Sequence, residues 1–158
     1  MPREHLLSRR YTWCWMKYWI NVITKDHALT GVAGGFMQAN HGAETNPQLL
    51  REGDIVFFYS PGTLFRAGEI LQAFTAVARV ADGEPYQVAL SARMKPWRRK
   101  VTSLPCEEVA VKALIPDLNF IGDKEHWGLS LRGGLFEIGK DDAQRIATAM
   151  KADVHQLG

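Results

Sequence analysis

Apolar residues fall along this chain in short runs, and few of those runs hold one period for long. Residues 18–23 (YWINVI) are dense in aromatic and β-branched side chains, as in a buried strand. Residues 54–59 (DIVFFY) give the strongest strand signal, closed by Ser60-Pro61-Gly62. Residues 71–80 (LQAFTAVARV) predict a further strand, with 87–90 pairing nearby across the turn residues 81–85. Shorter strands are expected at 98–101, 109–113 and 134–138. Helical signals are fewer. Thr24 reads as the N-cap of a short helix over 25–30, ended by Gly31, and Gly34-Gly35 permit a sharp change of direction. Asn46-Pro47 open a helical turn over 48–51, stopped by Gly53. Residues 63–70 read as a loop, and 114–120, with Pro116, as a turn or short helix. Asp141 and Gln144 predict a capping box for a final helix over 142–150, with Ile146, Ala147 and Met150 on its apolar face. No βαβ rhythm emerges, so the pattern predicts an α+β fold around a small curled sheet.

The length of 158 residues suits one well-packed domain and is short for two. No apolar run approaches the roughly 20 residues that cross a bilayer. Residues 1–16 have neither an apolar h-region nor a small-residue cleavage site, so a cytoplasmic protein with no membrane partner is expected. Residues 1–15 are expected to form a loosely held, flexible extension ahead of a domain over 16–152. Cys14 and Cys106 lie far apart and read as free thiols. They have no metal-ligand spacing and the histidines are scattered, so no metal is expected. The glycines of 31–35 do not form a dinucleotide fingerprint, and no cofactor is expected.

A net charge of +2 does not by itself indicate a nucleic-acid binder, but its distribution alters that picture. Arg93, Lys95, Arg98, Arg99 and Lys100 fall within eight residues around Pro96 and Trp97. A second basic group comprises Arg3, Arg9, Arg10 and Lys17. Such patches attract phosphate even on a nearly neutral protein. An exposed basic run is ordinarily solvated surface. An aromatic side chain inside it also suits a backbone-tracking groove with a stacking step. The row Gln38-Ala39-Asn40-His41 before Gly42 has no use in a core and offers hydrogen-bonding edges to a flat ligand.

Seven blocks in order carry a resemblance: KYWINV (17–22), GGFMQANHG (34–42), LREGDIVFFYSP (50–61), LQAFTAVARV (71–80), PWRRKV (96–101), FIGDKEHWG (120–128) and GLFEI (134–138). In these the chain resembles the EVE domain family of the PUA-like superfamily. The resemblance implies a PUA-like β-barrel, in fact a pseudo-barrel, with surrounding short helices. It also implies a pocket for a nucleobase, a modified one, flipped out of a strand of DNA or RNA. Stacking walls and edge-directed polar groups are what such a pocket needs. The expected walls are Trp19, Phe36, Tyr59, Trp97 and Phe136, with Trp127 as a further aromatic. Asn21, Gln38, Asn40 and Ser60 are the expected edge contacts, with His41 beside them. Arg98, Arg99 and Lys100 would hold adjacent phosphates. Each has a plainer reading: Trp19 as core, and Asn40 and His41 as loop-holding groups.

The expected function is therefore a non-catalytic nucleic-acid-binding module with no catalytic residues. One alternative is a small amidohydrolase acting on a modified nucleoside. His27, His41, His126, Asp26, Asp54 and Asp123 would be its acid–base candidates, though no hydrolase signature accompanies them. A further alternative is a protein-interaction module using the aromatic surface.

Overall fold

β1 (Tyr18–Val22) and β3 (Ile55–Gly62) run parallel, in register from Tyr18 opposite Ile55 to Val22 opposite Tyr59. They form the centre of a computed structural model that describes residues 16–38, 47–64 and 67–155. The remaining strands are β2 (Phe36–Gln38), β4 (Ile70–Val80), β5 (Tyr86–Gln87), β6 (Trp97–Leu104), β7 (Val109–Ala110) and β8 (Leu135–Ile138). Their order is β2-β6-β4-β3-β1-β8, with β5 on β6 and β7 on β4. Among the described residues every pairing other than β1 with β3 is antiparallel. The mixed sheet curls into a half-barrel flanked by two short helices, α1 (Lys25–Gly34) and α2 (Lys140–Ala149).

Strand alternation divides the apolar side chains between two cores. Tyr18, Ile20, Ile55, Phe57, Tyr59 and Phe74 face one side, where Ala143, Ile146, Ala147 and Met150 of α2 and its flank cover them. Trp19, Ile23, Val56, Phe58, Ala76 and Ala78 face the other, covered by Ala28 of α1 and by Met37, Leu50 and Val101. Burial on both faces explains why β1 and β3 read as unbroken apolar runs.

A single carboxylate joins these elements. Asp54 is 1% exposed. Its Oδ1 accepts from the Lys17 N–H at 3.0 Å. Its Oδ2 accepts from Trp19 Nε1 and from the Arg51 N–H, both at 3.0 Å. The Val80 N–H donates to the Asp54 carbonyl at 2.8 Å, which brings in the end of β4.

Several elements differ from the sequence expectation. The first helix does not stop at Gly31 but runs to Gly34, where Gly35 (φ +77°) makes a left-handed cap. Gly31 is a close-approach site: a Cβ there would lie 2.7 Å from the Phe36 carbonyl oxygen. That approach folds Phe36–Gln38 back as β2, a strand the apolar pattern does not announce. The strand expected at 98–101 extends over Trp97–Leu104. The loop expected at 63–70 is narrower, because Gly62 pairs with Ile70 and the Thr63 N–H donates to the Glu69 carbonyl. Of 109–113 only two residues are strand, and Val111–Ala113 coil into a 3₁₀ turn. The strand expected at 87–90 shrinks to Tyr86–Gln87, and the turn at 48–51 is a 3₁₀ turn over Pro47–Leu49. The capping box of Asp141 and Gln144 does not form; the final helix starts at Lys140 behind Gly139. Asp142 instead turns its buried carboxylate onto the Asn119 and Phe120 N–H groups at 2.7 and 2.8 Å. Residues 1–15, with Cys14, lie outside the described residues.

Two stability predictions follow from this packing. Asp54→Ala strands three donors, two of them backbone, and should cost about 2–4 kcal/mol in urea denaturation. A loss below about 1 kcal/mol would contradict the junction role. Burial also pushes the Tyr59 phenol from 10.0 to about 12 and raises that of Tyr18. The folded state therefore keeps protons that the unfolded chain releases. The stability this gives is complete below pH 10 and lost as pH rises from 10 to about 12. Urea midpoints should fall across that window, and Tyr59→Phe should flatten the fall. An unchanged slope in the variant would refute the assignment.

Candidate nucleic-acid interface

Asn21 sits near the end of β1 on the same face as Trp19 and Ile23, and it is 0% exposed. Its Nδ2 donates to the Gln38 carbonyl at 3.4 Å. A carbonyl can only accept, so this contact fixes which way the amide points. Oδ1 is then a buried acceptor with no donor among the described residues. Ser60 is likewise fully buried. Its hydroxyl lies 2.8 Å from that of Thr75, which donates at a long 3.5 Å to the Phe58 carbonyl. Since Thr75 has one proton, Ser60 is the donor between them. A register shift between Phe58 and Tyr59 accompanies this polar pair.

On the outer side of β2, Phe36, Gln38 and Arg98 come together. The Arg98 guanidinium lies over the Phe36 ring, 4.0 Å from its centroid. Arg98 Nε donates to Gln38 Oε1 at 3.0 Å. Lys100 lies opposite Phe36 in the β2–β6 ladder and is exposed. A cation held by a ring and an amide carbonyl is pre-positioned on the surface.

Other expected residues are placed elsewhere. Trp19 is core: it is 6% exposed, and its indole N–H is held by Asp54. Tyr59 points into the opposite core from Asn21 and packs edge-on against Phe74, with centroids 5.7 Å apart. Alternation along β3 thus keeps Tyr59 and Ser60 from lining one wall. Phe136 is half-buried beside Phe120, at 5.7 Å, on the Tyr59 side of the sheet. Trp127 packs at the edge of that same core. The basic run is split as well. Trp97 and Arg99 share one face of β6, while Arg98 and Lys100 share the other. Arg99 is buried and donates from Nη1 to the Leu50 carbonyl at 3.1 Å. Asn40 and His41 lie outside the described residues. Thr75 was missed, although a hydroxyl flanked by Phe74 and Ala76 in the middle of the run 71–80 is a legible signal.

Among the described acid–base candidates, Asp54 is held by Lys17, Trp19 and Arg51, and Asp26 lies 3.8 Å from His27. His126 Nδ1 lies 2.8 Å from Asp123 Oδ2 on exposed surface, and that hydrogen bond holds the Asp123 carboxyl below its usual range. Burial raises the Cys106 thiol, which disfavours the thiolate a nucleophile needs. Among the described residues no group of three or more His, Cys, Asp or Glu is placed to hold a metal. Among them, too, no helix is long and apolar enough to cross a membrane.

The family model for the EVE domain matches residues 17–149. The chain belongs to the EVE domain family. It is 48% identical over 138 residues to a UPF0310 protein of Mycolicibacterium vanbaalenii, covering 85% of this chain and 93% of that one. It is 34% identical over 137 residues to the UPF0310 protein YdcG of Bacillus subtilis, covering 87% and 94%. Among solved structures, the NMR structure of Rpa0253 from Rhodopseudomonas palustris is similar. Its TM-score is 0.56 at 14% identity, over 90% of this chain and 100% of that one. The crystal structure of ASCH from Zymomonas mobilis has a TM-score of 0.53 at 10% identity, over 85% and 96%. At those identities the likeness concerns the fold, and the EVE domain here is a PUA-like pseudo-barrel.

In this EVE domain the placement of Gln38 and Arg98 depends on α1 glycines. A Cβ at Gly31 would strike Phe36 backbone, so Gly31→Ala should displace β2 and cost about 1–3 kcal/mol. Thermal denaturation and the NMR resonance of the Arg98 Nε proton check this. A neutral Gly31→Ala with an unshifted resonance would contradict it.

Proposed function

We propose that this EVE domain binds nucleic acid and reads a base, in particular a modified one, with polar groups of its curled sheet. What carries the reading is Asn21: a fully buried amide whose Oδ1 has no donor among the described residues. An unmet buried acceptor costs about 1–3 kcal/mol, which a ligand N–H would recover. Asn21 is hydrogen-bonded to Gln38, and Asn40 and His41 follow in the chain. Base edges are read by such amide groups. Arg98, braced by Phe36 and Gln38, and exposed Lys100 would hold the flanking phosphates. Arg99, being buried, is left out of that role. The domain acts here as a non-catalytic reader working in the cytoplasm.

The test is binding of oligonucleotides that carry cytosine, 5-methylcytosine or 5-hydroxymethylcytosine, as DNA and as RNA. One modified oligonucleotide should bind more tightly than its unmodified counterpart. Asn21→Leu and Asn40→Ala should each weaken it by about tenfold without any turnover of nucleoside. Equal or absent binding across the panel at low salt would sink the proposal. Arg98→Ala and Lys100→Ala should instead weaken all sequences alike and lower the salt slope by about one each. An unchanged slope would remove these residues from the phosphate path.

A further inference from the structure

A cavity of about 640 Å³ opens between the turn before β3, the turn after β4 and the start of β6. Its lining includes Trp97, Arg99, Pro85, Glu52, Asp82 and Glu84, and none of Asn21, Gln38 or Ser60. Three features of it are unusual together. The first is Arg99, only 6% exposed, whose Nη1 is bound to the Leu50 carbonyl while Nε is buried with no acceptor among the described residues. No carboxylate pairs with this guanidinium among the described residues. The second is Trp97, 39% exposed, which offers an aromatic face on the same side of β6. The third is an acidic rim: Glu52, Asp82 and Glu84 are all exposed, and Arg51 is the further cation in the lining.

These features select a chemistry. A buried guanidinium N–H without an acceptor leaves an interaction to be recovered by a ligand oxygen or nitrogen. The carboxylates repel phosphate and call for N–H donors. The indole calls for a flat π-system. A ligand meeting all three has acceptors on one edge, donors on another and an aromatic body. Among nucleobases guanine fits: O6 and N7 suit a guanidinium, and N1–H with the N2 amine suits a carboxylate. Adenine and cytosine lack that pair of adjacent donors.

We infer that this cavity is a second base site, which takes a guanine from the nucleic acid held at the candidate interface. It rests on the nucleic-acid reading and adds a sequence preference to it. Arg99 is then a base contact and Trp97 its stacking partner, while Arg98 and Lys100 on the other face of β6 serve the backbone.

Isothermal titration of the full chain with guanosine, inosine, adenosine and cytidine tests the site without any oligonucleotide. Guanosine should bind saturably, and inosine, which lacks the N2 amine, about tenfold more weakly. Trp97→Ala and Glu84→Gln, both at exposed positions, should each weaken guanosine by about tenfold. Arg99→Met should do the same, with a thermal melt to show that it folds. Equal binding of all four nucleosides, no binding at the solubility limit, or guanosine binding unchanged by Trp97→Ala would overturn the inference. If guanosine fails while oligonucleotides bind, this site falls and the base-reading proposal stands. If guanosine binds while oligonucleotides do not, the cavity stands as a base site and the nucleic-acid proposal falls.

Discussion

Everything placed at the candidate site depends on how β1 and β3 are held side by side, and the Asp54 carboxylate sets that arrangement. It receives N–H groups from Lys17, Trp19 and Arg51, so it joins the start of β1, the start of β3 and the turn that leads into β3. A slip of one residue along β1 would turn Asn21 into the Tyr59 core and Ile20 into the Trp19 core. The bond to Trp19 also decides what that indole does. With its N–H held and its ring packed among Val56 and Ala78, it supports the site from within the core.

Two-residue periodicity then sorts the remaining side chains. On β3 it sends Tyr59 to Phe74 and leaves Ser60 on the face of Asn21. On β6 it separates Arg98 and Lys100 from Trp97 and Arg99. A basic run that looks like one patch in sequence becomes two chemically different surfaces. One is a cation braced by Phe36 and Gln38, and the other a buried guanidinium beside an indole. In the proposed reading the first would hold the backbone and the second a base, so one strand would serve both without competition for space.

The central strands were legible because their burial on both faces leaves long apolar runs, and the ordered blocks carried the family. What sequence reasoning lost were features decided by contacts between distant residues. β2 is three residues long and exists because Gly31 lets the Phe36 backbone come close. Gly31 therefore read as a helix stop when it is a packing site. Asp142 was read as the first residue of a capped helix, yet it stabilises the loop at Asn119 and Phe120. Tyr59 as a wall and Ser60 as an edge contact are expected in one pocket, because adjacency in sequence does not reveal a face until the register is known. Of the polar row 38–41, Gln38 at the end of β2 is placed against Asn21 and Arg98, while Asn40 and His41 lie outside the described residues.

In the proposed reading a base edge meets Asn21 inside the curl of the sheet. The most direct measurement is the NMR response of the Asn21 side-chain amide during titration with an oligonucleotide carrying a modified base. A saturable shift is expected at Asn21 and Gln38, with the Tyr59 ring on the opposite face unmoved. Shifts confined to the surface of β6, or an Asn21 amide that does not respond while the oligonucleotide binds, would contradict it.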